Sequence, residues 1–382
     1  MIKLNSPYDC CGCTACESVC GHHAITMLED KMGFLYPTTD VQKCIDCGLC
    51  NKACPIIRYD SIEDKTANPK VYALHNKNLK VWQTSSSGGV FATMVDYAIG
   101  RNGIVFGAAY DECFAVRHRK AETQAEALAF RGSKYVQSDM RGIYLEVRRN
   151  LRAGRFVLFS GTPCQVEGLK GFLMKPYDNL LTVDIMCHGV PSPKVFADYV
   201  KFIQTNSPFR LTCIYMKDKE FGWSYQNLRL YFGKHKSQFN TIVSNLWNKI
   251  FYSHLATRPS CHKCRFTNYL HSGDITIGDF WGIENSHPEF YDDKGISLLF
   301  ANNKKGEQVW HAIKEKFEYI ESDTKRCVQP NLQHPAKEPE EKATFWKEYE
   351  SIGFKKNIKR YYNIRNIDLI FFYVKELIRQ IK

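Results

Sequence analysis

Cys10–Cys20, CCGCTACESVC, and Cys44–Pro55, CIDCGLCNKACP, decide how this chain begins. Each run reads CxxCxxCxxxC: Cys10, Cys13, Cys16 and Cys20, then Cys44, Cys47, Cys50 and Cys54. Three thiolates at three-residue steps wrap one face of an iron–sulfur cubane, and a short helix carries the fourth towards a second cluster. The expected ligand sets are therefore crossed. Cys10, Cys13, Cys16 and Cys54 hold one 4Fe-4S cluster; Cys44, Cys47, Cys50 and Cys20 hold the other. Between the runs, AITMLED and FLYPTT read as the strands of a hairpin around Lys31, Met32 and Gly33.

Zinc is the alternative, but it usually draws four thiolates from two separated CxxC pairs, and each run here packs four into eleven residues. The α+β arrangement over residues 1–60 resembles the bacterial two-cluster ferredoxin fold. Two details depart from it: Gly21 stands where proline is usual, and Cys11 is an extra thiol, most simply a small packing residue. His22 and His23 read as packing or solvated residues.

The chain has 382 residues and 16 cysteines, long enough for two or three domains with cores of their own, so disulfide staples are not required. Cysteines at short spacings in a reducing compartment are metal ligands before they are disulfides. No charged n-region with an apolar h-region opens the sequence, and no window approaches eighteen apolar residues. A cytoplasmic protein is expected. The net charge of +12 is scattered, without a basic run interleaved with aromatics, so no nucleic acid is expected; anionic cofactors, acidic redox partners and anionic membranes all suit it.

After a polar linker at about 59–69, apolar runs alternate with amphipathic stretches, which predicts an α/β domain over 68–335. Strands are expected at Lys70–His75, Gly103–Ala109, Arg155–Phe159, Leu180–Met186, Leu211–Met216, Asp274–Ile277 and Ile296–Ala301. Helices should begin near Gly88, Ala125, Arg141, Cys164, Pro193, Val243 and Gly306. No GxGxxG signal for a dinucleotide fold is present.

In QTSSSGGVFATMVDYAIG (83–100), serines and glycines precede a helix, where N–H groups and hydroxyls suit a phosphate; an ordinary serine cap is the alternative. In RFVLFSGTPCQVEGLKGF (155–172), a strand runs into Gly161, Thr162 as N-cap, Pro163 at N1 and Cys164 in the first turn, a position that favours a thiolate. Cys187 ends the next strand, before a helix at Ser192–Pro193, and Cys261 and Cys264 form a CxxC. Each has a bland reading as a buried cysteine or half a zinc site. Together they supply four thiolates, and the strand ends of α/β sheets gather ligands, so a third cluster on Cys164, Cys187, Cys261 and Cys264 is a testable hypothesis. Cys113, Cys213 and Cys327 read as packing residues.

SSSGGVF, RGSKYVQSDM, FSGTPCQVEGL, DIMCHGVPSP, CHKCRF and DITIGDFWG occur in that order, and over about residues 1–320 the chain resembles the coenzyme F-420 hydrogenase/dehydrogenase beta subunit family in versions with an N-terminal two-cluster ferredoxin. The resemblance implies FAD and a 4Fe-4S cluster in the larger domain. It implies that Ser86, Ser87, Gly88 and Gly89 contact FAD phosphates and that Lys134, Tyr135, Ser138, Gly161, Thr162 and Pro163 line the flavin. Lys134 would stabilise reduced flavin, with a solvated lysine as the alternative. His188 and Asp279 would relay protons, with structural hydrogen bonds as the alternative.

The implied activity is FAD- and iron–sulfur-dependent oxidoreduction between a redox partner protein or reduced carrier and a small organic substrate or deazaflavin. A non-catalytic electron-transfer adaptor is the alternative, and a zinc-stabilised scaffold a third reading. Residues 336–382 fall outside the resemblance and read as a basic, helical tail, with Lys355, Lys356, Lys359, Arg360, Arg365, Lys375, Arg379 and Lys382 against Asp368 and Glu376 over its last stretch. Packing on its own domain is expected there; peripheral contact with an anionic membrane is the alternative.

Overall fold

The computed structural model describes residues 1–61, 68–225, 227–233, 235, 236 and 241–381, so most of the expected linker lies outside the described residues. The cysteine module pairs β1 (Ile25–Glu29) with β2 (Leu35–Thr39) antiparallel, Ile25 opposite Thr39 and Glu29 opposite Leu35. The turn between them is closed by Gly33 N–H on the Asp30 carbonyl (3.0 Å). Two five-residue helices, α1 (Ala15–Val19) and α2 (Leu49–Ala53), end directly at Cys20 and Cys54.

The larger region is a mixed α/β structure. Its strands in chain order are β3 (Lys70–Asn76), β4 (Ile104–Tyr110), β5 (Val116–Ala121), β6 (Val157–Gly161), β7 (Leu180–Ile185), β8 (Leu211–Asp218), β9 (Asn227–Phe232), β10 (His235–Lys236), β11 (Ile275–Asp279), β12 (Ser297–Ala301) and β13 (Phe317–Ser322). Its helices are α3 (Leu79–Thr84), α4 (Val90–Ile99), α5 (Gln124–Ala127), α6 (Ile143–Arg152), α7 (Pro163–Leu173), α8 (Pro193–Thr205), α9 (Leu246–Ser253), α10 (Ile283–Ser286), α11 (Lys304–Ile313), α12 (Lys342–Tyr362) and α13 (Asn366–Ile381). Among the described residues, eight strands form one sheet in the order β13-β3-β12-β11-β7-β6-β4-β5. The central run β11-β7-β6-β4 is parallel, as α/β patterning predicts, while β12, β3, β13 and β5 join antiparallel.

All seven expected strands are present within a few residues. The sequence reading missed β5, β9, β10 and β13, and it missed α3 and α10. The helix expected near Ala125 is only the four-residue α5, held by Thr123 Oγ1 on Glu126 N–H (3.2 Å) and Glu126 Oε2 on Thr123 N–H (3.2 Å).

Strands β8 and β9 pair antiparallel apart from the main sheet. They share a core with α8, α9 and the C-terminal helices, in which Phe196, Tyr199, Leu228, Leu230, Trp247, Phe345, Trp346 and Phe372 are buried. The tail therefore packs on its own chain. Helix α12 breaks at Gly353, whose φ of 74° lies in the left-handed region that glycine tolerates.

The cysteine module is docked on the larger region from two sides. Arg58 pairs with the buried Glu167 of α7, and Gly171 of α7 lies against the Ala53 carbonyl of α2, where an added Cβ would come within 2.3 Å. On the other side Ser192 Oγ donates to the Met32 carbonyl (2.5 Å) and Lys194 Nζ to the Lys31 carbonyl (2.9 Å).

Candidate functional site

Helices α1 and α2 each end at the fourth cysteine of their run, and α2 delivers Cys54 beside the first run. Cys10, Cys13, Cys16 and Cys54 line one cavity with Ile2, Leu4, Met27 and Pro37. All four are buried. Burial, reinforced by the neighbouring cysteines, pushes the Cys16 and Cys54 thiols up. Such thiols stay protonated unless a metal takes the proton's place, and crowding of this kind suits a metal–sulfur group. In the second set Cys50 is buried, Cys20 and Cys44 are half-buried and Cys47 is exposed, so this end of the module faces solvent.

Strands β6 and β7 are parallel neighbours, so the residues after their C-terminal ends fall side by side. Thr162 caps α7, with its N–H on Gln165 Oε1 (2.9 Å), and Pro163 occupies the first helical position. This sets Cys164 beside Cys187, which follows β7. Cys261 and Cys264 arrive on the turn after α9, and all four thiols line one cavity with Cys11, Gln137, His188, Phe266 and Asn331. Cys164 sits in the first turn of α7 as the sequence predicts, but its neighbours oppose the pull of the helix end on its thiol. A hydrogen bond with Cys11 and burial push its thiol well up. Burial likewise pushes Cys187 up and Cys261 up to about 11. The extra thiol of Cys11 lines both cavities, between Cys13 and Cys164, a location that spacing did not reveal.

The Ser-Gly loop, held against the C-terminal end of β3 by Asn76 N–H on the Gly88 carbonyl (2.8 Å), leads into α4. Ser86 Oγ accepts from Ser133 N–H (3.1 Å), which brings SSSGG against RGSKYVQS. Gly88 N–H is committed to Ser297 Oγ (2.8 Å), whereas the buried Ser87 Oγ has no hydrogen-bond partner among the described residues. Gly89 is the N-cap of α4. Lys219 Nζ braces the loop through the carbonyls of Trp82 (2.8 Å), Ser87 (3.0 Å) and Lys294 (2.6 Å), and burial pushes it down to about 8.

The remaining expected site residues have definite internal partners. Lys134 Nζ donates to the carbonyls of Ala129 (2.8 Å) and Arg131 (2.9 Å), and burial pushes it down to about 7. Tyr135 stacks on Phe251 at 4.6 Å. Ser138 Oγ is bonded to His118 Nδ1 (2.8 Å) and Gln165 Nε2 (3.0 Å), so it sits inside a buried network. Gly161 ends β6 beside Gln165. His188 Nδ1 is 2.6 Å from Asn331 Oδ1. Asp279 Oδ1 accepts from Lys217 Nζ (2.6 Å) and Trp223 Nε1 (2.7 Å), beneath Trp223 and Trp281 stacked at 4.6 Å.

Lys217, Trp223 and Arg258 carried no local sequence signal, because each acquires its role through partners distant in the chain, while Gln137 and Trp281 lie inside RGSKYVQSDM and DITIGDFWG without having been singled out. Cys327 is buried as expected of a packing residue, whereas Cys113 is exposed.

Residues 154–325 match the family model that describes the C-terminal part of the coenzyme F420 hydrogenase/dehydrogenase beta subunit. Residues 9–56 match the model of the 4Fe-4S dicluster domain. No curated protein matches the chain. Among solved structures, a chain from the xenon-derivatized F420-reducing [NiFe] hydrogenase complex of Methanosarcina barkeri is 18% identical, with 78% of this chain and 94% of that chain covered and a TM-score of 0.48.

Proposed function

Proceeding from a chain whose residues 154–325 belong to the coenzyme F420 hydrogenase/dehydrogenase beta-subunit family and whose residues 9–56 are a 4Fe-4S dicluster domain, we propose that it is an iron–sulfur flavoprotein oxidoreductase with three 4Fe-4S clusters and FAD. The observation that carries this reading is the gathering of Cys164, Cys187, Cys261 and Cys264 around one cavity, beside the cavity of Cys10, Cys13, Cys16 and Cys54. Cys20, Cys44, Cys47 and Cys50 complete the second set of the module. When bound, the clusters carry single electrons and the flavin converts between one- and two-electron chemistry.

The chain's own residues supply placement and insulation. Apolar neighbours, Met27 and Pro37 in the first cavity and Phe266 in the second, border the thiols and lower their exposure to water. The orphaned Ser87 hydroxyl, with Ser86, Gly88 and Gly89 at the positive end of α4, supports a site for the FAD phosphates. Gly161, Thr162 and Pro163, with Tyr135 and Ser138, would border the ring. Lys134, held near neutrality by burial, can give or take a proton around pH 7, and His188 and Asp279 are the further proton-handling candidates. The electron partner is a redox protein or reduced carrier, and the substrate a small organic molecule or deazaflavin.

Replacing Cys261 and Cys264 by serine tests the reading. The double variant, purified anaerobically, should lose about four of about twelve irons per chain. Unchanged iron content refutes the third site. Eight irons and no flavin in the unaltered protein favour the electron-transfer adaptor instead, and zinc without iron defeats both.

For the tail, we propose peripheral contact with an anionic membrane through α13. Ile367, Ile370, Phe371, Val374 and Ile378 form an exposed apolar stripe on the helix face opposite the buried Leu369 and Phe372. Lys355, Lys356, Lys359, Arg360 and Arg365 precede or open the same helix, a charge that suits acidic headgroups. No helix among the described residues is long and apolar enough to cross a membrane.

A further inference from the structure

Arg258 is completely buried, and its guanidinium meets only neutral oxygens: Nε donates to the Cys10 carbonyl (2.7 Å), Nη1 to Gln137 Oε1 (2.9 Å) and Nη2 to the Leu35 carbonyl (2.8 Å). The rings of Tyr36 and Phe34 lie 4.4 and 5.2 Å from it. It makes no ion pair among the described residues. A buried guanidinium without a counter-charge is costly, since desolvation of an ion is repaid only by an opposite charge close by. No carboxylate among the described residues pairs with it. The chain does supply cysteines from both sides: the guanidinium is bonded to the Cys10 carbonyl (2.7 Å), and the Arg258 carbonyl accepts from Cys261 N–H (3.0 Å).

These cysteines belong to both cavities. Cys10 lines the one formed by the N-terminal module, Cys164 and Cys261 line the other, and Cys11 lines both. The loop between them is pinned on each side, because Gln137 Nε2 donates to the Cys11 carbonyl (2.9 Å) while its Oε1 accepts from Arg258 Nη1–H (2.9 Å). Gly12 has φ of +71° at this point, and a Cβ there would lie 2.7 Å from both Arg258 Nη1 and Gln137 Nε2. The fork of Arg258 and Gln137 therefore fixes the backbone that separates the two thiol sets.

We propose that Arg258 is a positioning residue shared by the two sites: the permanent counter-charge of the clusters on Cys10, Cys13, Cys16 and Cys54 and on Cys164, Cys187, Cys261 and Cys264, which raises the reduction potential of both. The proposal rests on the three-cluster reading above. Adding an electron makes a thiolate-bound cluster more negative, and a fixed cation in low dielectric stabilises the reduced form more than the oxidised one. The set containing Cys47 lies at the solvent-facing end and does not meet this guanidinium.

The test is a potentiometric titration of the anaerobically purified full chain, followed by EPR, on the unaltered protein and on R258K, R258Q and Q137E. R258K keeps the charge and should leave all potentials close to those of the parent. R258Q removes the charge and should lower the potentials of two clusters while leaving the third in place. Q137E keeps arginine but sets a carboxylate against Nη1, and should lower the same two, which provides the test if R258Q does not fold. Unchanged potentials in R258Q or, if that variant does not fold, in Q137E, with full iron content, overturn the role of Arg258 alone. Eight irons in the unaltered protein overturn the three-cluster reading, and the shared role with it.

Discussion

His118 lies on β5, where its Nε2–H donates to the Ser160 carbonyl (2.9 Å) and its Nδ1 accepts from Ser138 Oγ (2.8 Å). Burial, aided by the charge of Lys134 and opposed by Asp139, holds the imidazole down at about 4. An unfolded histidine titrates near 6.5, so above that pH neither state binds the proton and the full contribution to stability is present. Between about pH 6.5 and 4 the unfolded chain takes up a proton that the fold excludes, and stability falls with pH by about 3 kcal/mol in all. His118→Gln should therefore flatten the acid side of the urea-denaturation profile relative to the parent; parallel profiles would refute the buried neutral imidazole. At this scale the cysteines were the most legible residues, because their spacing is the coordination chemistry. Arg258 was not, since its partner Cys10 lies 248 residues earlier in the chain. Spacing indicates which side chains are near along the chain and is silent about those brought together by folding.

Helix α7 carries two burdens, starting at the Cys164 turn and packing its middle on α2. Alanine in place of glycine inside a helix ordinarily gains about 1 kcal/mol. At Gly171 the added Cβ would meet the Ala53 carbonyl at 2.3 Å, a backbone contact that cannot rotate away. Overpacking of this kind costs about 1–3 kcal/mol, and it would push α2, with Cys50 and Cys54 on or beside it, off its seat. Gly171→Ala should lower the denaturation free energy by up to about 2 kcal/mol, the overpacking cost less the helix gain; a stabilised variant would contradict the docking of the two helices. The central strands were legible as apolar runs because both faces of a parallel sheet are covered. Strand β5, VRHRKA, was not: Val116 and His118 point inward and Arg117 and Arg119 outward, but a buried histidine reads as polar. Strand direction was illegible as well, since the antiparallel joining of β12 and β3 is decided by pairing across the sheet.

Over the whole molecule, one cysteine module, one mixed sheet and one helical annex are joined so that two thiol-lined cavities abut. The annex was the least legible part, because a tail rich in lysine and arginine conceals the buried Phe345, Trp346 and Phe372 that seat it. Its outer face supports a separate expectation. Burying an apolar side chain contributes about 1.5–3 kcal/mol, so Ile370→Glu with Phe371→Glu should reduce cosedimentation with phosphatidylserine-containing vesicles at least about tenfold while the fold persists. Equal sedimentation of parent and variant would remove the membrane contact. The central claim is that three clusters share this one chain, and the iron content of the anaerobically purified protein tests it most directly. About twelve irons per chain are expected with sulfide in equal amount, and about eight, on protein whose Cys164, Cys187, Cys261 and Cys264 are intact, would contradict it.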